Sequence, residues 1–550
     1  MNTVLRQWMS GALLAALALP ASAMADEQAL QQKVDELTKK VERLEDKTLS
    51  KWLTIGGDFR FRLDSLRGET KAYTDVNKTF SFAQDQMNTG FLNNPVAFGP
   101  QVAAFQTFSN QMKQTSTFAG ANTFLQSNQA MAGQLMNFKQ AVPDYKPSND
   151  TLYTNRLGID LHAKATKDVT VNVRLLAYKT FGSQDDSAVT NGGSTPFFTD
   201  RVGAFDGTLG HIPSSGLLDV DRAYATWSNI GDQPFWFSVG RRPSTNGAPS
   251  NLRMNSERPG NGGTPALLVD YAFDGMTLGW APDIDALPGA YAKVCYGRAF
   301  ESGFGSPTNS LDDTDMVGIA IIPIDTDPLR VWLQWNRGTG IFDFPTMKDT
   351  AFGNTGPRIN LGSMDWYGAG AMSTIKNVGP GKLNFFGDIG MSVTHPNQNV
   401  SANAGFEGLM TGQFLQPEAP SSKTGYGGYI GARYDFDPSR TKVGFEYNHG
   451  SKNWMPFTPA ADDMWTSKLG TRGNVYEGYL IQELNLKPIS SHLSKAFIRV
   501  GYQYYDFEYT GSNNWVGAPV KISSVQPTDM MLLTPLKSAQ DIYATFEVKF

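Results

Sequence analysis

The feature that most constrains the fold is a strict alternation of apolar and polar residues that recurs from Trp52 to the C-terminus. In the first such stretch, Ile55, Gly57, Phe59, Phe61 and Leu63 alternate with Thr54, Gly56, Asp58, Arg60 and Arg62. A period of two predicts β-strands with one apolar and one polar face. Charges along a whole face require water on that side, which the dry core of a soluble sandwich does not supply. The pattern therefore predicts strands between lipid and a polar lumen.

The short polar links between these segments set the number of strands. They lie at residues 166–168, 229–234, 283–289, 325–328, 378–381, 437–440 and 488–495. Barrel turns are short on the periplasmic side and long outside, so short links must alternate with long loops. Treating Ala266 to Ala281 as one strand through Asp274-Gly275 keeps that alternation. We predict an all-β protein whose residues 51–550 form a 16-stranded antiparallel transmembrane β-barrel, with both termini periplasmic.

One strand departs from the alternation. Residues Ile319 to Ile324 are apolar on both faces. The inner face of a water-filled barrel would carry polar residues here.

Two segments precede the predicted barrel. Arg6, the apolar run from Gly11 to Leu19 and the small residues Ala23-Met24-Ala25 predict a cleavable secretory leader over residues 1–25. Apolar residues then recur with heptad spacing at Leu30, Val34, Leu37, Val41 and Leu44. They predict a periplasmic α-helical coiled coil over residues 26–50, which favours a homo-oligomer. We expect a trimer rather than a dimer; a single helix lying on another surface is the alternative.

Composition excludes several classes of function. Lys and Arg number 47 against 52 Asp and Glu, so no nucleic-acid partner is expected. The single cysteine, Cys295, excludes a disulfide framework, a cysteine-based zinc cluster and a CxxCH haem site. The sequence contains neither HExxH nor GxSxG, so we expect no enzyme activity, no cofactor and no catalytic residues. Two aspartate groups, at 312–315 and 462–463, could bind a divalent cation, but solvated loop charge is the favoured interpretation.

Three stretches resemble bacterial porins: Ile55 to Arg62, Asp221 to Tyr224 and Val239 to Ser244. From the coil to the end, the chain more closely resembles an uncharacterised family of porin-like outer-membrane proteins from anaerobic Gram-negative bacteria. The segments Gly240 to Gly247 and Lys468 to Glu477 carry that resemblance. It implies a Gram-negative outer-membrane location in contact with lipid and lipopolysaccharide, and it supplies no substrate.

The last residues form an amphipathic strand. Its apolar face consists of Ile542, Ala544, Phe546, Val548 and Phe550. This ending resembles the terminal β-signal of outer-membrane proteins, which the barrel-assembly machinery recognises. The resemblance assigns the assembly signal to Phe546, Val548 and Phe550.

Charged residues predicted to face the lumen are the candidate pore residues. The third outer loop, residues 242–264, is rich in Gly, Pro, Asn and Ser and is the candidate constriction. The pore-lining candidates are Arg60, Arg62, Arg156, Arg174, Arg222, Arg242, Arg253, Arg258, Asp58 and Asp160. Excess arginine would favour anions. Alternatively, the arginines and carboxylates cross-link the interior of the barrel.

Residues 66–150 form an insert far longer than an ordinary loop. Helical spacing of Phe124, Met131, Leu135, Phe138 and Val142, and of Val102, Phe105 and Met112, predicts helices within a long first extracellular loop. Their apolar faces could form a self-packed cap, plug the barrel or dock a partner.

The favoured hypothesis is a channel for passive diffusion of small hydrophilic solutes or ions. The alternative is a barrel that serves as a sheath or scaffold for a partner protein, such as a cytochrome in an outer-membrane electron conduit.

Overall fold

The structure, a computed structural model, describes residues 52–182, 215–243, 247–256, 265–306, 311–343, 356–459, 462–486 and 494–550. The predicted leader and coiled coil lie outside these residues. The described chain forms a closed barrel of sixteen antiparallel strands, so the predicted strand number is confirmed. The strands are β1 Leu53–Thr70, β2 Ser148–Lys164, β3 Val169–Thr180, β4 Ser215–Ser228, β5 Phe235–Arg242, β6 Phe273–Trp280, β7 Tyr291–Phe300, β8 Thr314–Asp325, β9 Arg330–Phe342, β10 Asn360–Val378, β11 Gly381–Pro396, β12 Thr424–Phe436, β13 Thr441–Gly450, β14 Gly473–Glu483, β15 Lys495–Phe507 and β16 Leu536–Lys549.

Closure depends on β1, which pairs with both β2 and the last strand, β16. Phe61 lies opposite Asn155 on one side and opposite Phe546 on the other. Phe550 extends this edge, because its backbone exchanges two hydrogen bonds with Gly57, at 2.8 and 3.0 Å. Every other strand pairs with its neighbours in the chain. A closed meander leaves no strand edge exposed, which is the condition for a sheet to reside in lipid.

The short links lie at one end of the barrel and the long connections at the other, as the predicted alternation of short links and long loops requires. One predicted strand is shorter than expected: β6 begins at Phe273 rather than at Ala266. Residues 265–272 are buried along their whole length, without alternation. A segment buried on all sides cannot be part of a barrel wall, and it lies instead inside the lumen.

The outer face of the barrel is apolar. Ile389, Phe445 and Ile542 are among the exposed residues of this face, with 66%, 55% and 54% of their surface accessible. Such a belt suits lipid contact. Among the described residues, no helix is long and apolar enough to cross a membrane.

The inner wall has two different halves. Strands β12–β16 and β1–β4 carry most of the buried charges, including Arg60, Asp541 and Glu477. Strands β8–β11 present apolar residues inward, including Ile322 and Trp332. This apolar interior explains why both faces of the segment from Ile319 to Ile324 are apolar. Ile319 and Ile321 face outward, whereas Ala320 and Ile322 pack against buried residues inside the barrel.

The insert between β1 and β2 contains helices that pack on each other and on a long loop. The helices are α1 Val76–Asn93, α2 Pro95–Gln114, α3 Phe118–Ser127 and α4 Gln129–Met136. Asp75 caps α1, because its carboxylate accepts a hydrogen bond from the Lys78 amide. The cluster that buries their apolar faces also includes Val400, Phe406 and Phe414 from the loop between β11 and β12. The helices therefore cover this loop at the long-loop end.

Candidate functional site

The lumen is the candidate functional site, and segments from the long-loop end occupy it. We define the inner loops as the described residues 247–256 and 265–272 between β5 and β6, and 454–459 and 462–472 between β13 and β14. Residues 265–272 and 462–472 are buried throughout. The inner loops touch each other, because Val269 bridges to Phe457 and the Phe457 amide donates to the Leu268 carbonyl at 2.8 Å.

Asp462 connects an inner loop to the charged half of the wall. Its carboxylate pairs with Arg156 on β2 at 2.7 Å and with Arg60 on β1 at 3.2 Å. The side chains of all three residues are at most 6% exposed. In this low-dielectric interior, each charge depends on its partners, because water does not compensate it.

Lys468 forms the second ionic connection between the same loop and the wall. Its ammonium lies 2.5 Å from both Glu446 on β13 and Glu477 on β14. Glu477 also pairs at 3.1 Å with Arg253 of the other inner loop. Arg253 in turn lies 2.8 Å from Asp463, so two inner loops and two wall strands share one network.

Arg472 anchors the end of the loop through hydrogen bonds to backbone carbonyls. Its guanidinium donates to the backbone carbonyls of Trp454, Thr510 and Asn514, at 3.1, 3.1 and 2.8 Å. It also borders a cavity of about 90 Å³ at the long-loop end, together with Glu407. Burial raises the pKa of Glu407 to about 8, so this side chain is mainly protonated at neutral pH.

Trp454 packs on the wall where its apolar and charged halves meet. Its ring lies over the inward faces of β11, β12 and β13, where a Cβ added at Gly390, Gly427 or Gly450 would lie within 2.3–2.7 Å of ring atoms. Glycine is required at these positions because any side chain would displace the indole. The indole nitrogen donates to the Leu469 carbonyl at 2.7 Å, so the buried polar atom is satisfied.

The structure brings most of the sequence-predicted residues together. Arg60, Arg62, Arg156 and Arg174 are buried on β1, β2 and β3. Asp58 pairs with Arg156 and Arg174, and Arg174 also pairs with Asp160. Together with Arg253, these residues belong to a connected region of ion pairs, which is the cross-linking arrangement considered as the alternative to a free cationic lining.

The remaining candidates have different positions. Arg222 pairs at 2.9 Å with its neighbour Asp221. Arg242 lies at the end of β5, where it donates to Ser238 at 3.0 Å. Arg258 lies outside the described residues.

Four of the aspartates considered as cation ligands, Asp313, Asp315, Asp462 and Asp463, have cationic partners. Asp313 and Asp315 both pair with Arg298, and Asp462 and Asp463 pair with arginines as described above. Within the described part of the chain, no group of three or more metal-ligating side chains is present.

Comparison with known proteins places the chain in a family. The family model described as "Protein of unknown function (DUF3373)" matches residues 146–550. The chain belongs to this family. The match begins just before β2, so β1 and the helical insert lie outside it, and the family description assigns no activity. No curated protein matches the chain.

Several solved structures are similar to the chain at low identity. OmpT of Vibrio cholerae in a trimer form is 10% identical, with 90% of this chain and 99% of that chain covered and a TM-score of 0.38. An anion-selective porin from Comamonas acidovorans is 11% identical, with the same coverage and TM-score. OprB of Pseudomonas putida is 9% identical, with 91% and 95% covered and a TM-score of 0.41.

Sequence reasoning missed the residues that hold the inner loops in place. Glu446 and Trp454 lie on a strand and in a loop without any motif that marks them, Asp463 was considered only as a cation ligand, and Lys468 only as part of a segment of family resemblance. A signal was nevertheless present, because the unbroken apolar run Ala266-Leu-Leu-Val269 follows a polar loop and does not alternate. Such a run indicates burial on all sides, which a lipid-facing strand does not have.

Proposed function

We propose that the protein is an outer-membrane channel of Gram-negative bacteria for small hydrophilic solutes or ions, narrowed by its own inner loops. The observation that carries the proposal is the charged region where loops and wall meet. A cavity of about 10 Å³ remains there between Arg60, Arg62, Arg253, Asp462, Glu477, Arg499 and neighbouring groups. This space is about the minimum for one water molecule. At this place in the lumen a solute passes only if the inner loops move, which leaves the strand hydrogen bonds intact.

Ion pairing of the arginines also affects the ion selectivity expected of the channel. Arg60, Arg62, Arg156, Arg174 and Arg253 each have a carboxylate within 3.2 Å. Paired charges produce a weaker field in a pore than a ring of one sign. We therefore propose ion selectivity weaker than the modest anion preference that the arginine positions alone would favour.

Planar-bilayer recording of the purified barrel tests the proposal. We expect discrete openings of low conductance and a small reversal potential in a salt gradient. A barrel that never conducts, under voltage of either sign, would contradict the channel proposal. A large constant conductance would contradict narrowing by the inner loops.

The inner loops also argue against the alternative hypothesis that the barrel is a sheath around a partner protein. A partner threaded through the barrel would have to displace the ion pairs of Asp462 and Lys468 and the packing of Trp454. Each of these contacts is buried, so their loss is unfavourable. We therefore favour a channel over a threaded sheath.

A barrel in the outer membrane must be inserted there, and the last strand carries the candidate signal for that step. Phe546 and Phe550 point outward from the last strand, with 40% and 49% of their surface exposed. We propose that these residues, with Val548, act as the assembly signal recognised by the barrel-assembly machinery. We further propose that the leader directs export, and that the coil of residues 26–50 lies in the periplasm and supports a trimer surrounded by lipid and lipopolysaccharide.

Removal of the helical insert should leave the conductance nearly unchanged. Replacing residues 76–140 by a short Gly/Ser link deletes α1–α4, which pack on Val400, Phe406 and Phe414 rather than on the ion pairs of the inner loops. Single-channel recording of the deletion variant provides the measurement. A several-fold rise in conductance would show instead that the insert contributes to the plug.

A further inference from the structure

Two aspartates of the strands that close the barrel share one arginine in its interior. Asp64 lies on β1 and Asp541 on β16, and both residues are 0% exposed. The register places Asp64 opposite Tyr543, so Asp541 is its diagonal neighbour on the inner face. Both carboxyl groups accept hydrogen bonds from Arg62, at 2.6 and 2.8 Å. Two acidic groups are therefore held side by side where the first and last strands meet.

The contacts with Arg62 use one edge of its guanidinium group. Nε donates to Asp64, and Nη2 donates to Asp541. This pair of nitrogen atoms ordinarily binds the two oxygen atoms of a single carboxylate, in a bidentate ion pair. Two carboxyl groups occupy that place here, and they lie within hydrogen-bonding range of each other. If both were ionised, they would repel each other at this range.

Each of the two carboxyl groups also has an oxygen atom without a hydrogen-bond donor. These atoms are Oδ2 of Asp64 and Oδ1 of Asp541, and both are buried. Buried polar atoms are normally hydrogen-bonded, because an acceptor that is removed from water without a donor is unfavourable. The pair therefore lacks a donor that Arg62 does not supply.

The site also lacks positive charge. Arg62 is the only cation within ion-pairing distance of either aspartate in the described part of the chain. Other ionisable groups near Asp541 or Arg62 include Asp463 of an inner loop and three tyrosines of the wall, Tyr178, Tyr505 and Tyr543. None of these is cationic. Two ionised aspartates would leave one buried negative charge without compensation, which is strongly unfavourable.

We propose that Asp64 and Asp541 bind one proton between them in the closed barrel. The proton supplies the missing donor, because one carboxyl group then donates to the other. It also reduces the charge of the pair to the single negative unit that Arg62 compensates. Arg62 in turn donates to the backbone carbonyl of Asp462 at 3.4 Å, so the protonated pair holds its guanidinium against an inner loop. The site goes beyond the proposed channel function, because it stabilises the contact between the first and last strands whether or not the barrel conducts.

Equilibrium unfolding by guanidinium chloride in detergent, from about pH 5 to about pH 8, tests the proposal. An unfolded aspartate is ionised throughout this range. The folded barrel then binds one proton more than the unfolded chain, so its stability falls as the pH rises. The unfolding constant of the wild type should increase by about tenfold per pH unit relative to that of Asp541→Asn. In this variant the amide donates to Asp64, and no shared proton is needed.

Glu547→Gln is the matched control. Glu547 is also buried on β16, but it has Arg499 as its own partner at 2.9 Å. This variant should be less stable than the wild type and should keep its pH dependence. Other groups that titrate in the same range, such as Glu407, are common to all three proteins and cancel in the comparison.

Infrared spectroscopy of the folded barrel at neutral pH provides a second measurement, which does not depend on unfolding. The carbonyl band of protonated carboxyl groups should lose the intensity of one group in Asp541→Asn and equally in Asp64→Asn, because neither variant retains the pair. Glu547→Gln should keep the full band. A loss in only one of the two amide variants would mean that a single aspartate is protonated by itself, and would overturn the sharing.

The proposal is also overturned if the wild type and Asp541→Asn have the same pH dependence, or if the carbonyl band is unchanged in both amide variants. A metal cation bound between the two aspartates would give that last result. The bilayer result is separate from these. A barrel that holds the proton and never conducts keeps the proton site and removes the channel; a conducting barrel without the shared proton does the reverse.

Discussion

Asp462→Ala should both destabilise the barrel and raise its conductance several-fold. The substitution leaves Arg60 and Arg156 buried without the carboxylate that they share, at 3.2 and 2.7 Å. Breaking one partner of a buried ion pair destabilises a protein by about 3–5 kcal/mol, because the remaining charge is uncompensated. The 462–472 segment can avoid this penalty by leaving the lumen, since water then reaches both guanidinium groups. Single-channel recording and thermal unfolding measure the two effects.

Two further variants separate this mechanism from general loss of stability. Asp327→Ala is the matched control: Asp327 pairs with Lys376 at 3.3 Å, but both side chains are more than 60% exposed. Exposed pairs contribute about 0–1 kcal/mol, so its conductance and Tm should remain close to those of the wild type. Replacing Asp462, Arg60 and Arg156 together by apolar residues should restore much of the stability, since no buried charge remains unpaired. If Asp462→Ala conducts as the wild type does, the salt-bridged loop does not close the pore.

The barrel itself could be predicted from the sequence because its physical cause is local. A strand between lipid and a polar interior must alternate at every second residue, and the stretch from Ile55 to Arg62 does so. The positions of Arg60 and Arg156 on the inner face follow from the same alternation. Their pairing with Asp462 could not be predicted, since these contacts join residues 402 and 306 positions apart through a loop without periodicity.

The inner wall of the barrel is apolar in one half, which differs from the lining expected of a water-filled pore. A water-filled pore would have exposed charges inward, whereas Trp332, Ile322 and Trp366 line a dry half of the wall. The apolar residues from Ile319 to Ile324 indicate this dryness in the sequence. Leu268 and Trp454 pack on the inner wall at Gly368, Gly390 and Gly427, and they come from loops whose direction depends on tertiary contacts rather than on local pattern. Likewise, the spacing of Val76, Phe80, Ala83 and Met87 indicates α1, but not the loop that this helix covers.

Trp454→Ala should produce a large loss of stability that does not depend on charge. The indole is fully buried against Gly390, Gly427 and Gly450, and its nitrogen donates to Leu469. Removing a buried tryptophan side chain destabilises a protein by about 3–5 kcal/mol, because the cavity collapses only partly. The flat glycine surface beneath the ring has no side chains that could move into the space. Thermal unfolding in detergent, followed by the heat-dependent mobility of the barrel in electrophoresis, measures the loss.

The matched control is Trp227→Ala, which removes the same side chain from the outer face, where 49% of it is exposed. Its effect should be much smaller, since detergent or lipid fills the space. A double variant, Trp454→Ala with Gly427→Leu, refills part of the cavity from the wall and should recover part of the stability, because the new side chain extends towards the vacated ring position. Equal losses for Trp454→Ala and Trp227→Ala would mean that the inner loop is not packed against the barrel wall in the membrane.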